Sequence, residues 1–298
     1  MQFNTLNGHN YPKVIQRFAI VSKAMFSVSV TVCVALTLMS CTKESNDDVA
    51  KAAIKEASEP STTIRIAAAA NLSDVLPDVI EGYKADNNLP NQHIEVSYAS
   101  SGKLYAQIQS GAPYDIFLSA NQDFPAKWVK ERPATATKHK PFTYTQGQLA
   151  VYSATKPMSG LTPTSVAELI ARQQDSKITI ASPKLAPYGA SAKVFLQLQN
   201  IYDNLNSQKR IIQAENIGQA FQYAHSGNVD YGFVAQSQVA AIKAKPEQFY
   251  ILPADTYPAI LQDGIVLSDA VTATGFSDYL RSAAGQAYFV KAGYLEVK

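Results

Sequence analysis

Cysteine is nearly absent from this chain of 298 residues: there are two, Cys33 and Cys41. Both lie near the N-terminus, so neither a disulfide nor a cysteine metal site can form in the rest of the chain. Histidine is scarce as well. The four, His9, His93, His139 and His225, are scattered, and no pair has metal-ligand spacing. The single tryptophan, Trp128, is expected to pack a helix between Gln122 and Lys130 rather than to offer a sugar platform. An excess of either charge is also lacking, with 26 basic residues against 24 acidic ones. Lys13, Arg17 and Lys23 stand in the first 40 residues, which hold no acid, so the remainder carries 23 against 24. That balance excludes the electrostatic footprint of nucleic-acid binding. A small anion, if bound, has to be held by local dipoles and not by a general positive field.

Long apolar runs are missing too. Ala24 to Met39 carries no charge, but it is too short, and too polar at Ser29 and Thr31, to span a bilayer. Behind three basic residues it reads as a secretory leader over residues 1–40. It ends Leu38-Met39-Ser40-Cys41, which has the form of a bacterial lipobox, with Met39 departing from the usual small or branched choice. Cleavage before Cys41 leaves one cysteine, at the first position, to carry lipid. The expected product is a membrane-anchored lipoprotein facing the periplasm or the cell surface. Residues 41–63 are polar and charged and read as a tether, because they cannot bury enough surface to offset their ordering entropy.

Enzyme motifs are largely missing. There is no Gly-x-Ser-x-Gly elbow. Gly102-Lys103 is not a phosphate loop, since Leu104 replaces the required hydroxyl residue and no glycine sits five before Gly102. Ser100-Ser101-Gly102-Lys103 has the Ser-x-x-Lys spacing of penicillin-recognising serine enzymes, but the Lys-Thr-Gly they also need is absent. A secreted serine hydrolase acting through Ser100 and Lys103 is the rival from a different class. Otherwise no catalysis and no cofactor is expected.

What is present is an alternation of strand-like and helix-like segments from Ile64 onward, the pattern of an α/β fold. Ile64 to Ala69 reads as a strand. Val75, Leu76, Val79, Ile80 and Tyr83 recur at helical spacing. Ile94, Val96 and Tyr98 alternate as a second strand, and Leu104, Tyr105 and Ile108 mark another helix. That helix ends at Ser110-Gly111, where glycine suits a left-handed cap. Ile116–Leu118, Leu149–Tyr152, Ile178–Ala181 and Tyr231–Val234 read as further strands. Helices are expected from about Ala190 to Ile201, with Val194, Phe195 and Leu198 inward, and from Ile217 to His225, capped by Asn216. Two more, around Phe276–Ala283 and Gly285–Lys291, close the chain.

Three segments carry the chemistry: Ala67-Ala68-Ala69-Ala70-Asn71-Leu72, Ala99-Ser100-Ser101-Gly102-Lys103-Leu104, and Gly111-Ala112-Pro113-Tyr114-Asp115-Ile116-Phe117-Leu118-Ser119-Ala120. The first two join a strand to a helix through hydroxyl or amide side chains. Strand ends of this kind, feeding helix N-termini, make a place for an anion. Together the three segments resemble the substrate-binding proteins of molybdate ABC transporters, and the resemblance runs from Ile64 to Lys298.

That resemblance implies a two-lobed fold, each lobe a mostly parallel sheet flanked by helices, with the ligand in the cleft. The first lobe would take residues 64–146 plus 259–298 and the second 147–258, with a return crossing near Tyr257-Pro258-Ala259-Ile260. It implies capture of molybdate, and of tungstate, by a monomer that docks on a membrane permease. Sulfate, phosphate or a small organic anion is the alternative ligand. The implied oxyanion ligands are Asn71, donating through its side-chain amide, Ser101, donating its hydroxyl, and the backbone N–H groups of Tyr188 and Ile217. Each has a plainer role open to it. Asn71 could be a helix cap or Asx-turn, Ser100 and Ser101 could exchange roles, and Asn216 could cap a surface helix with Ile217 in the core. One departure stands out. Many relatives have a tyrosine after the strand Tyr231–Val234, where this chain has Ala235, and the Tyr188 hydroxyl or a water is the expected substitute.

Overall fold

A computed structural model describes residues 63–135 and 137–297. The leader, Cys41 and most of the tether lie outside the described residues.

In chain order the elements are β1 (Ile64–Ala69), α1 (Leu76–Asp86), β2 (Ile94–Ala99), α2 (Ser101–Gln109), β3 (Ile116–Leu118), α3 (Asp123–Lys130), β4 (Phe142–Gly147) and β5 (Leu149–Tyr152). Then come α4 (Pro163–Arg172), β6 (Ile178–Ala181), α5 (Pro187–Leu198), α6 (Tyr202–Ser207), β7 (Ile211–Ala214), α7 (Ile217–His225) and β8 (Tyr231–Ala235). The chain closes with α8 (Gln236–Ala241), β9 (Phe249–Ile251), β10 (Ile260–Val266), α9 (Val271–Arg281) and α10 (Ala283–Lys291).

The strands form two five-stranded sheets, ordered β2-β1-β3-β10-β4 and β7-β6-β8-β5-β9. Both are mixed. β1 runs parallel to β2 and β3, whereas β10 is antiparallel to β3 and β4. In the other sheet β6 runs parallel to β7 and β8, whereas β5 is antiparallel to β8 and β9. The reversed strands, β5 and β10, are those that follow a passage from the opposite sheet. A chain that leaves one sheet at its carboxyl end enters the next from the same side, so it runs against the strands already there.

This direction rule positions the site. The parallel strands of both sheets end toward each other, at Ala69, Ala99 and Leu118 on one side and Ala181 and Ala214 on the other. Ligands of open α/β sheets bind outside the carboxyl ends of strands. β1 lies between β2 and β3 and is buried apart from Arg65, as expected of a central strand covered on both faces. Its terminal alanines let the second sheet approach, and Ala69, Ala70 and Ala120 belong to the same apolar core as Leu149, Tyr188 and Ile217. Gly111 follows α2 at φ 88°, the left-handed cap expected there.

Some expectations shift. α5 starts at Pro187, three residues before the expected Ala190. Proline opens it because its missing N–H costs nothing in the first turn. Leu198, expected inward, is 61% exposed at the last turn of α5. α9 begins at Val271 rather than near Phe276. β4, with Thr143, Thr145 and Gln146, carries too little apolar alternation to announce a strand, and pairing with β10 makes it one.

Candidate functional site

Between the facing strand ends lies a small cavity, about 10 Å³ as measured for the centre of a water-sized sphere. Asn71 lines it from the turn after β1, Ser100 and Ser101 from the start of α2, Tyr188 from the start of α5, and Asn216 and Ile217 from the start of α7. The structure therefore brings all four residues expected from sequence to one place. Among the described residues, no charged side chain lines this cavity.

Ser101 and Ser100 play different parts. The Ser101 hydroxyl oxygen accepts from the backbone N–H of Ala120 at 2.9 Å, across from β3. That bond fixes the side chain and leaves its hydrogen to donate. Ser100 holds the N-cap position of α2 but makes no side-chain capping bond. Its hydroxyl is buried without a partner among the described residues.

In the second sheet, Tyr188 follows Pro187 at the head of α5, so its N–H lies in the first turn, where intrahelical partners are lacking. Gly189 beside it lets the helix sit on the end of β6, because a Cβ there would stand 2.0 Å from the Ala181 carbonyl oxygen. Asn216 caps α7, its side-chain oxygen accepting from the Gln219 N–H at 3.0 Å. Ile217 is then the first residue of the helix and is 3% exposed. Its carbonyl accepts from Gln238 Nε2 at 3.2 Å. Capping and cavity lining thus coexist at this turn.

Asn71 departs from expectation. It sits in a three-residue 3-10 turn, Ala70–Leu72, with no capping role for its side chain. Its Nδ2 donates to Gln262 Oε1 at 3.0 Å and to the Tyr294 hydroxyl at 3.0 Å. Both amide hydrogens are committed inside the protein, so the amide does not donate into the cavity in this arrangement. Its Oδ1 is buried and has no partner among the described residues. Sequence reasoning missed Gln262, which is fully buried on β10. Nothing local in Ile-Leu-Gln-Asp-Gly-Ile-Val marks it.

Ala235, where the resemblance implies a tyrosine, is buried, and its N–H donates to Gln238 Oε1 at 3.0 Å. The Tyr188 hydroxyl accepts from Gln262 Nε2 at 3.2 Å. It lies where any Cβ on Gly147 would be, 2.0 Å from that point, so glycine ends β4 to make room. Burial pushes the hydroxyls of Tyr144, Tyr188 and Tyr294 above the usual tyrosine value of 10.0. All three remain protonated donors at neutral pH.

The Ser100/Lys103 pair is not formed here: Lys103 Nζ meets Glu215 at 2.6 Å, and the Ser100 hydroxyl has no hydrogen-bond partner among the described residues. A larger groove of about 640 Å³, between Lys138–Phe142 and α9, lies at the opposite ends of β4 and β10. Among its lining residues Lys138 pairs with Asp269 at 2.5 Å and Arg281 with Asp278, while Lys140 lines it as well. The candidate site is the cavity at the strand ends, where the helix N-termini and the residues expected from sequence converge.

A family model described as bacterial extracellular solute-binding protein matches residues 64–295. The molybdate-binding protein ModA of Azotobacter vinelandii is 32% identical over 235 residues, covering 78% of this chain and 89% of that protein. The solved periplasmic molybdate-binding protein of Azotobacter vinelandii superposes with a TM-score of 0.69 at 30% identity, over 79% of this chain and 100% of that one. A Bacillus subtilis protein, putative ABC transporter substrate-binding lipoprotein YvgL, is 28% identical over 80% of this chain and 88% of its own length.

Proposed function

Because this chain belongs to the bacterial extracellular solute-binding proteins and stands among their molybdate-binding members, we propose that it captures molybdate outside the cytoplasm and delivers it to the permease of an ABC importer. The observation that carries this reading is the charge-free cavity where helix N-termini from both sheets converge. A desolvated oxyanion needs several fixed donors. Neutral donors bind it without a counter-charge that would have to be broken for release.

In this reading Ser101 donates its free hydroxyl hydrogen, and Tyr188 and Ile217 donate helix-opening N–H groups. Asn71 completes the set once its amide hydrogens turn toward the cavity. Lobes of residues 64–146 plus 259–298 and of 147–258 close around the anion. Tungstate, nearly equal in size to molybdate, is taken by the same pocket. Sulfate, which is smaller, is discriminated against. No bond is made or broken. The chain acts as a monomer held at the membrane by lipid on Cys41.

Native mass spectrometry of the purified protein, incubated with equal amounts of molybdate, tungstate, sulfate and phosphate, tests this. One molybdate or tungstate per single chain is the expected adduct. Predominant sulfate, phosphate or no adduct contradicts the reading.

A further inference from the structure

The amides of Asn71 and Gln262 form a buried pair behind the cavity, and their polarity is at odds with an anion. Asn71 is 1% exposed and Gln262 is fully buried. With both hydrogens of Asn71 turned to Gln262 Oε1 and the Tyr294 hydroxyl, the end left over is an orphaned oxygen. An acceptor repels an oxyanion. A second loose end lies across the lobes. The Tyr188 hydroxyl accepts from Gln262, and no acceptor for its own hydrogen appears among the described residues.

Turning both amides end for end resolves these points with the heavy atoms nearly in place. Gln262 Nε2 then donates to Asn71 Oδ1. Tyr188 gives its free hydrogen to Gln262 Oε1. Tyr294, now donating to the Asn71 carbonyl at 2.7 Å, moves its hydrogen to Asn71 Oδ1. Ser237 Oγ, 3.5 Å from the same carbonyl, keeps that acceptor occupied. Tyr144 stands between two acceptors, Gln262 Oε1 at 3.1 Å and the Ser119 carbonyl at 2.9 Å, and settles on the carbonyl. The two Asn71 hydrogens come to stand where the orphaned oxygen was. Each donor and acceptor follows the ordinary inventory of amides and hydroxyls.

We propose that Gln262 is the positioning residue of the site: it sets which end of the Asn71 amide faces the cavity, and a bound tetrahedral oxyanion drives the coupled inversion of the pair. The inference rests on the oxyanion reading above. Because Gln262 belongs to the first sheet and Tyr188 to the helix over the second, the inversion also ties anion contact to the junction between lobes. An all-or-none rearrangement is natural here, since a half-turned network leaves buried groups unpaired.

The test is a double-mutant cycle on molybdate affinity, read by calorimetry for the wild type, Gln262→Met, Asn71→Ala and the double variant. Gln262→Met is expected to weaken binding roughly 10- to 100-fold, the scale of a hydrogen bond to a charged group. The double variant is expected to bind no worse than Asn71→Ala alone, because the glutamine acts through the asparagine. Wild-type affinity in Gln262→Met, or losses that multiply in the double variant, overturns the proposal. Should Gln262→Met not fold, NMR of the wild-type side-chain amides decides. The Asn71 and Gln262 NH₂ resonances are expected to shift together on molybdate addition. Their staying fixed while the Ser101 and Ile217 backbone signals move overturns the proposal and leaves the oxyanion reading standing. A wild type that binds no oxyanion overturns that reading itself.

Discussion

Gly102 donates its backbone N–H to the carbonyl oxygen of Leu185 at 2.9 Å, joining the start of α2 to the loop before α5 across the cleft. A Cβ on Gly102 would stand 3.1 Å from Leu185 Cα and 3.2 Å from its oxygen. Glycine is what allows the two backbones to meet this closely.

Gly102→Ala is therefore expected to hold the cleft slightly open and to raise the molybdate Kd about tenfold. The same change favours the helix by up to about 1 kcal/mol, so the melting temperature of the ligand-free protein should not fall. Paired calorimetry and thermal melts check this. Lost affinity without lost stability is the expected signature.

The two serines at the head of α2 should separate. Ser101→Ala removes a donor and also strands the buried Ala120 N–H, costing about 1–3 kcal/mol of stability in addition to affinity. Ser100→Ala removes a hydroxyl with no protein partner among the described residues, so the fold should lose little. Urea unfolding of both variants measures the difference. Equal destabilisation would contradict the assigned roles.

Buried tyrosines set the alkaline limit. Tyr144 and Tyr188 are held above the usual value of 10.0 by burial. A hydroxyl whose folded value is raised contributes stability that is fully present below the unfolded value and is lost as pH climbs toward the folded one. From these groups, melting temperature should be level through neutral pH and fall above about pH 10, together with the rise of tyrosinate absorbance. A fall centred well below that pH contradicts the account.

Arg210 carries stability rather than binding. It is 5% exposed, and its guanidinium donates to the carbonyls of Ser176 at 2.8 Å, Gln173 at 2.7 Å and Ile170, near the end of α4. Burial lowers its pKa from the usual range. Arg210→Met leaves several carbonyls unpaired and is expected to cost about 3 kcal/mol or more. At temperatures where the variant stays folded, its molybdate affinity should match the wild type.

The gathering of the candidate residues was partly legible because some marks are local: the strand-to-helix turns with Asn71 and Ser101 and the cap at Asn216 are signalled within a few residues, whereas Tyr188 and Ile217 came from the family resemblance. The partners behind the site were not legible. Gln262 meets Asn71 across 191 positions, and a buried glutamine inside a strand has no periodic signature. Its contact with Asn71 arises only when β10 returns from the second sheet and joins the first. The same return reverses β10 within its sheet, which alternation of strands and helices could not show. Leu198 failed for a simpler reason: helical spacing assigns a face, but α5 ends there, with no second layer to cover it.

The most direct measurement is titration calorimetry of the purified protein with molybdate and with sulfate at matched ionic strength. The account predicts tight, one-to-one binding of molybdate and far weaker binding of sulfate. Equal affinity for the two, or no binding of either, would contradict it.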